Sequence, residues 1–455
     1  MARSLRPPGK EPEGSFTTPG GTRFTVRTTA DGVWQRMESG GQTSEYRVAY
    51  VIGSGSRASG SLIQIGDHFF QSPVCYYPTR HAYDLAPGYE KLSDPDFTRP
   101  VTDACLACHT GSHMEAISCE RCHGPVAQHL QRPVPGSIVN PAKLPAGQRD
   151  AVCEQCHLAG AVRVLNPGKH FADFLPGRRL EEVFTIYTAA APPAGGDFKV
   201  ISHSEQLRLS ACARASGGNL WCGTCHDPHN KPLAAAQFYR ARCLSCHQGK
   251  LDRSHPAASN DCIGCHMPRR EARDGGHSVF TDHRIARRPA PDGANPSDSD
   301  LIAWREPPPA LARRNLALAY VNAGVERRSP PQIVRGYRML TEIQTEFRDD
   351  VGVLNGLGTA LLLAKQPAEA RIAFQRVLAL TPNDASAEQN VAMAWLAAGD
   401  LENSAAHLER TLALDPLLLP AATTLMGIYR KRGDTAKENA LAERMRSVLS
   451  GARKP

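Results

Sequence analysis

Several features that would place this chain in a common class are scarce or missing. Aromatic residues make up only 6% of the 455 residues and hydrophobic residues 41%, which predicts a modest apolar core. No run of about 18 apolar residues occurs, so no transmembrane helix is expected. The N-terminal segment MARSLRPPGKEPEGSFTTPGG lacks the apolar core of a secretory signal. The net charge of +8 is not concentrated in a polybasic tract, so nucleic-acid binding is not indicated.

Cysteine, by contrast, is abundant and regularly spaced. Twelve of the fourteen cysteines form Cys-x-x-Cys pairs, and only Cys75 and Cys212 stand alone. Glycine (38) and proline (35) are also plentiful, which predicts much irregular backbone. A chain of this length is expected to form two or three domains.

A histidine follows every cysteine pair directly. The six motifs are CLACH (Cys105, Cys108, His109), CERCH (Cys119, Cys122, His123), CEQCH (Cys153, Cys156, His157), CGTCH (Cys222, Cys225, His226), CLSCH (Cys243, Cys246, His247) and CIGCH (Cys262, Cys265, His266). Cysteines three residues apart lie on one helical turn, where their sulfurs can bond both vinyl groups on one porphyrin edge. The next residue can then ligate the iron. The pattern predicts six covalently bound haem c groups.

Zinc is the main alternative, because Cys-x-x-Cys pairs also form zinc ribbons. Zinc binding does not require a histidine directly after the second cysteine. With 17 histidines in 455 residues, six such coincidences have a probability on the order of 10⁻⁹. Disulfides and redox-active cysteine pairs leave these histidines equally unexplained. Iron–sulfur clusters need four cysteines each and have no use for them.

Ten further histidines lie in the first 285 residues, and only His407 lies beyond them. Electron-transfer haems with two histidine ligands need one distal histidine each. His129 and His229 follow a motif so closely that we expect them to reach a neighbouring iron instead of their own. The candidate distal ligands are His129, His203, His229, His277 and His283, with His113 and His170 as weaker candidates.

Composition divides the chain into four parts. Residues 1–99 combine a polar arm with short runs of β-forming residues, which predict a small antiparallel sheet. Residues 100–285 carry all six motifs and predict short helices and loops. Residues 286–309 are rich in Pro, Gly, Ser and Asp and predict a linker. Residues 310–455 predict amphipathic helices. The expected fold is mainly α, with an irregular haem-packed N-terminal region, a small β insertion and a C-terminal α-solenoid.

The C-terminal part repeats with a period of 34 residues, which separates Pro382 from Pro416 and Gly399 from Gly433. This period resembles the tetratricopeptide repeat. The consensus is matched at Gly358, Ala370, Phe374 and Pro382. The predicted units are 351–384, 385–418 and 419–450, led by a degenerate unit at 311–347. Such hairpins stack into a superhelix whose concave surface suits a protein partner; a plain helical bundle is the alternative.

The motif region resembles a known family of multihaem cytochromes c with doubled Cys-x-x-Cys-His motifs, fused to tetratricopeptide repeats. The family is related to the tetrahaem cytochrome c that accepts electrons from hydroxylamine oxidoreductase. The resemblance is carried by CERCHGP with His129, SHSEQLRLSAC with His203, SGGNLWCGTCHDPH with His229, and CIGCHMPRR followed by FTDHRI with His283. It implies haem c and electron transport outside the cytoplasm.

Family members generally begin with an export signal and one more haem motif, and MARSL resembles the segment just after that motif. We therefore expect this sequence to come from an N-terminally truncated gene model. The leading interpretation is a periplasmic or otherwise extracytoplasmic electron carrier whose repeats bind a redox partner. The alternative is an oxidoreductase acting on a small nitrogen or sulfur compound at a haem with an open axial site. A scaffold with vestigial haems is disfavoured because all six motifs are intact.

Overall fold

A computed structural model of the chain describes residues 4–53, 55–92, 94–110, 117–190, 198–247, 261–287 and 299–450. It comprises an N-terminal sheet, a central region that carries the motifs, and C-terminal helical hairpins.

The N-terminal region is one nine-stranded antiparallel sheet, larger than the small sheet that the sequence predicts. Its strands are β1 (Leu5–Arg6), β2 (Gly14–Thr17), β3 (Arg23–Thr29), β4 (Gly32–Ser39), β5 (Gln42–Ile52), β6 (Ser59–Ile65), β7 (His68–Tyr77), β8 (Ala82–Leu85) and β9 (Arg99–Pro100). Strands β2 to β8 pair in chain order, while β1 pairs with β5 and β9 pairs with β7. The mainly-α description therefore holds only for the rest of the chain. Within the predicted N-terminal arm, β1 and β2 pair with strands of the sheet.

Alternating apolar residues of these strands fill a core beneath the sheet. Phe24 and Val26 of β3 are almost fully buried, and Phe16 packs on Phe24 with ring centroids 5.2 Å apart. The sheet curls so that the Tyr83 hydroxyl on β8 donates to the Pro12 carbonyl just before β2, at 2.6 Å. Cys75 lies inside this core, where burial raises the pKa of its thiol to about 12. This cysteine is therefore a packing residue with an unreactive thiol.

The central region consists of short helices and two small sheets. The helices are α1 (Asp103–His109), α2 (Glu120–His123), α3 (Ala127–Gln131), α4 (Ala146–His157), α5 (His203–Leu209), α6 (Ala211–Ala215), α7 (Cys222–Cys225), α8 (Ala235–His247) and α9 (Cys262–His266). The strands are β10 (Val162–Leu165), β11 (Phe184–Ala189), β12 (Arg269–Glu271), β13 (Val279–Thr281) and β14 (Leu301–Ala303). Strand β11 lies between β10 and β14, and β12 pairs with β13.

The segment predicted as a linker, 286–309, is partly a structural element. Residues 301–303 form β14, which pairs antiparallel with β11, and Leu301 is buried. A strand of only three residues could not be predicted there, because Pro, Gly, Ser and Asp dominate the composition of the whole segment. The central region is therefore joined to the helical hairpins by a hydrogen-bonded sheet.

Eight helices form four hairpins in the C-terminal region. They are α10 (Ala312–Arg327), α11 (Pro330–Ile343), α12 (Val351–Leu363), α13 (Pro367–Leu380), α14 (Ala385–Ala397), α15 (Leu401–Leu414), α16 (Leu419–Arg432) and α17 (Thr435–Ser450). Each hairpin lies within one of the units that the 34-residue period predicts. Successive helices pack against one another from α10 to α17, as expected of stacked hairpins.

Both ends of the hairpin array contact the rest of the molecule. At the leading end, the Arg314 guanidinium on α10 donates to the Leu165 carbonyl of β10 at 2.8 Å and pairs with Asp350. At the far end, Leu417, Leu419 and Leu449 pack against the core of the nine-stranded sheet. The hairpins thus contact the motif region at one end and the N-terminal sheet at the other.

The close approach of α12 and α13 generates a stability prediction. A Cβ atom at Gly358 would lie 2.5 Å from the Phe374 ring, closer than packed carbon atoms can come. We expect Gly358→Ala to lower the free energy of unfolding by about 1–3 kcal/mol, since the ring has to move. Urea denaturation followed by circular dichroism measures this.

Gly427 on α16 is the matched control, because nothing lies within 4 Å of a Cβ atom there. Gly427→Ala should leave stability unchanged or raise it by up to about 1 kcal/mol, through helix propensity. Equal effects of the two substitutions would contradict the packing argument.

Candidate haem-binding site

Every Cys-x-x-Cys-His motif forms a helical turn. Helices α1, α4, α7, α8 and α9 each contain both cysteines of one motif, and Cys119 of the second motif is the N-cap of α2. The histidine is the last helical residue in five motifs, and His226 directly follows α7. The local backbone therefore puts both thiols on one turn and the imidazole at its end, as the spacing predicts.

Neighbouring motifs contact one another through their cysteines. The Cys108 thiol donates to the Gln155 carbonyl at 3.7 Å, and the Cys156 thiol donates to the Cys108 carbonyl at 3.9 Å. The thiols of Cys108 and Cys156, of Cys153 and Cys222, and of Cys243 and Cys262 also interact with each other. The Cys156 thiol lowers the pKa of Cys108, since it stabilises the thiolate. All fourteen cysteines are free thiols. The third motif thus lies between the first and the fourth, so the spatial order of the motifs differs from their order in the sequence.

Side chains inside the second and third motifs also join them. The Arg121 Nε donates to the Thr110 carbonyl, just after the first motif, at 3.1 Å. The Gln155 Nε2 donates to the Arg121 carbonyl at 2.9 Å. Gln155 is 8% exposed, so these bonds are shielded from water. Arg121 and Gln155 occupy variable positions of their motifs, and their hydrogen bonds connect neighbouring motifs. The sequence pattern did not reveal this role.

Glu154, also inside the third motif, anchors the segment that leads to the hairpins. Its buried carboxylate accepts a hydrogen bond from the Trp304 Nε1 at 3.0 Å and pairs with the Arg305 guanidinium. Burial raises the pKa of Glu154, while the bonds from Arg305 and Trp304 act in the opposite direction. A buried carboxylate destabilises the folded protein unless a cation pairs with it.

Four of the predicted ligand histidines form a cluster. Ring centroids are 4.9 Å apart for His157 and His203, 4.8 Å for His203 and His283, and 6.1 Å for His226 and His283. Burial lowers the pKa of His203 to about 3 and that of His283 to about 4, and it also lowers the pKa of His157 and His226. All four imidazoles are therefore neutral near pH 7, the form that binds metal ions.

A second pair of predicted ligands lies at the second motif. The rings of His123 and His229 have centroids 5.8 Å apart and planes inclined by 14°. His229 follows the fourth motif, and its backbone N–H donates to the Asp227 carboxylate at 2.9 Å. A residue that follows the fourth motif thus lies beside the histidine of the second motif.

Backbone carbonyls fix the tautomer of three imidazoles. The Nδ1 atom lies 2.7 Å from the Val139 oxygen in His123, 3.0 Å from the Ala286 oxygen in His266, and 2.9 Å from the Thr281 oxygen in His283. A carbonyl oxygen only accepts, so Nδ1 must carry the proton. The Nε2 lone pair is then available to a metal, the arrangement usual for ligating histidines.

The spacing of two histidine pairs fits the two axial ligands of a haem. Metal–nitrogen bonds of about 2 Å on opposite sides of one iron would put imidazole centroids roughly 6 Å apart, close to the spacing of His123 from His229 and of His226 from His283. Within the ranges that the structure describes, no group of three or more His, Cys, Asp or Glu side chains is arranged to hold a metal ion. Helix α8, 13 residues long, has no fully buried residue; a porphyrin on its motif would cover part of it.

His129 and His170 are two further distal candidates. The Nδ1 of His129 is 2.7 Å from the Ser137 hydroxyl. His170 is exposed and precedes a short helical turn, Phe171–Asp173, that packs on α1. His113 lies outside the described residues.

His277 lies against the N-terminal sheet. Its Nε2 is 3.0 Å from the Asp84 carboxylate, and its ring centroid is 5.1 Å from that of Tyr77. The structure therefore places this candidate beside β7 and β8, where it joins the central region to the sheet.

Comparison with known protein families gives no match. The chain is 24% identical over 227 residues to the multihaem cytochrome MtrA of Shewanella baltica, a match that covers 43% of this chain and 61% of that protein. The chain thus spans about three-fifths of the relative's length. Similar solved structures include MamA residues 41 to the end from Desulfovibrio magneticus RS-1, at 19% identity over 32% of this chain and 80% of that one, with a TM-score of 0.27. Another is the first tetratricopeptide repeat of Spaghetti bound to an HSP90 peptide, at 20% identity over 26% and 93%, with a TM-score of 0.23.

The Glu154 contact generates a second stability prediction. Arg305→Ala should lower the free energy of unfolding by about 3–5 kcal/mol, since it leaves a buried carboxylate without its cation. Arg313→Ala is the control, because Arg313 pairs with Glu342 at 3.4 Å and both side chains are about two-thirds exposed. Its effect should stay below about 1 kcal/mol. Denaturant titration of both variants measures these free energies. Equal effects of the two substitutions would contradict a stabilising role of the contact between Arg305 and Glu154.

Proposed function

We propose that this chain is a multihaem c-type cytochrome that carries electrons through six covalently bound haems. The observation that carries the proposal is the combination of six intact Cys-x-x-Cys-His turns with pairs of imidazoles at the spacing of two axial ligands. The similarity to a multihaem cytochrome supports the same class of protein. The haem supplies reversible one-electron exchange.

Each cysteine pair would hold one haem, and the histidine of the motif would be its proximal ligand. We assign His229 as the distal ligand opposite His123, and His283 opposite His226, because their ring spacings are 5.8 and 6.1 Å. His203 is assigned opposite His157, where the spacing of 4.9 Å requires the rings to separate by about 1 Å. In each assigned pair, the distal histidine lies outside the motif whose histidine is the proximal ligand.

Contacts between motifs support electron transfer as the function. The thiol contacts of Cys108 with Cys156 and of Cys153 with Cys222 would put porphyrins on the first, third and fourth motifs side by side. Arg121 and Gln155 would hold these motifs at fixed separation. Six haems would add roughly twelve propionate charges, for which the net charge of +8 is a partial counterweight.

The helical hairpins would bind a redox partner, as stacked repeats of this kind present an extended surface to proteins. Their attachment through β14 and Glu154 supports docking close to the third motif. Haem attachment and the relative's class support a location outside the cytoplasm. Among the described helices, none has the length and apolarity needed to cross a membrane.

Haem content tests the proposal directly. Protein produced in a host that matures c-type cytochromes should carry six haems by intact mass and pyridine haemochrome spectrum. Replacing Cys222 and Cys225 with Ala should lower the mass by one haem, since both thioether bonds are lost. Cys75→Ala, which alters a thiol in the sheet core, should keep all six. A matured sample that is colourless, or that holds zinc, would refute the proposal.

The axial assignments predict a change in spin state. His229→Ala should convert one low-spin iron, that of the second motif, to high-spin or to a form with an exogenous ligand, and electron paramagnetic resonance detects this. His277→Ala should leave every iron low-spin, because His277 pairs with Asp84. A high-spin iron in His277→Ala, with every iron low-spin in His229→Ala, would contradict the assignment of His229 as a distal ligand.

The same spectra separate the carrier from the alternative, an oxidoreductase acting on a small nitrogen or sulfur compound. A carrier with two ligands on every iron is entirely low-spin in the unmodified protein. An open axial position for substrate would give a high-spin signal.

A further inference from the structure

The partners of the proximal imidazoles are not all of one kind. His123 and His266 have a backbone carbonyl at Nδ1, at 2.7 and 3.0 Å. The Nδ1 of His226 instead faces a side chain, the Tyr239 hydroxyl, at 3.3 Å. The Nδ1 atoms of His109 and His157 are buried without a hydrogen-bond partner among the described residues. The Nδ1 of His226 therefore contacts a side chain, where that of His123 or His266 contacts a backbone carbonyl.

Tyr239 belongs to the helix of the next motif. It lies on α8, four residues and about one turn before Cys243. Its ring centroid is 5.5 Å from that of His226, with planes inclined by 69°. Burial raises the pKa of the phenol, which stays protonated at neutral pH. One side chain thus joins the proximal histidine of the fourth motif to the helix that carries the fifth.

We propose that Tyr239 is a positioning residue that sets the reduction potential of the haem on His226: its hydroxyl oxygen lowers this potential, but by less than the backbone carbonyls lower the potentials of the haems on His123 and His266. The inference rests on the proposed function. When Nε2 of His226 ligates iron, Nδ1 carries the proton and donates it to the phenol oxygen. A phenol oxygen accepts more weakly than an amide carbonyl, so His226 has less imidazolate character and donates less charge to ferric iron. The reduced state is then favoured at this haem.

The distribution of electrons between the fourth motif and either the second or the sixth motif follows from this contact. An electron that leaves ferrous iron at one motif is taken up by ferric iron at the other, and no further reactant is needed. A higher potential at His226 favours the electron on the fourth motif. Because Tyr239 lies on α8, a displacement of that helix would change the potential of the neighbouring haem.

Tyr239→Phe tests the proposal, since it removes one oxygen atom and keeps the ring. Spectroelectrochemical titration of the fully matured protein should show one potential shifted upward, with the ratio of oxidised to reduced haem at a fixed potential changed by about two- to tenfold. The other potentials should stay in place, and one low-spin resonance signal should shift. Tyr239→Leu removes the ring as well and should shift the same potential in the same direction.

Tyr83→Phe is the matched control, since it also removes a hydroxyl hydrogen bond but lies on the N-terminal sheet. It should change no potential. Six haems with unaltered potentials in Tyr239→Phe would overturn the role of Tyr239 and leave the proposed function standing. Fewer than six haems in the unmodified protein would overturn both.

Discussion

Neutral imidazoles held in a partly buried cluster are the constraint on which the central region depends. A protonated histidine among His157, His203 and His283 would face neighbouring imidazoles in a poorly solvated site, and burial therefore favours the neutral form. The apolar cluster of the central region is small, built around residues such as Leu158, Phe174 and Phe184. Six porphyrins would supply the apolar surface that this region lacks, and the same imidazoles would fix their orientation. Folding and haem binding would then be coupled, since the same histidines would bind iron and connect the segments that carry them.

The sequence predicts well the features that are set by local periodicity. Each motif is a helical turn because three-residue spacing is the spacing of one turn, and the hairpins lie where Pro382 and Pro416 mark the 34-residue period. Features that depend on distant pairing were missed. Strand β1 has two residues and owes its place to β5, where Leu5 pairs with Ile52; strand β14 has three and owes its place to β11. No local pattern of that length distinguishes a strand from an arm or a linker.

The candidate site shows the same division. The motif predicts which histidines would be proximal ligands, and the supply of further histidines predicts distal ligands as a class. Their pairing depends on which segments come together: His229 faces His123 across more than 100 residues of chain, and His277 turns to Asp84 instead. Gln155 occupies a position that the motif leaves variable, so its bond to Arg121 had no signal in the sequence. Contacts of this kind are set by packing after the motifs have formed.

Linkage between the hairpins and the third motif follows from the contacts of Glu154. The carboxylate lies between two cysteines that would bind one porphyrin, and it holds Trp304 and Arg305, which continue from β14 into α10. Arg314 on α10 donates in turn to β10. A partner bound to the hairpins would therefore act on a segment in direct contact with helix α4, which carries the third motif. Since the third motif contacts both the first and the fourth, a small displacement of this helix would change the separation of the proposed haems at two places at once.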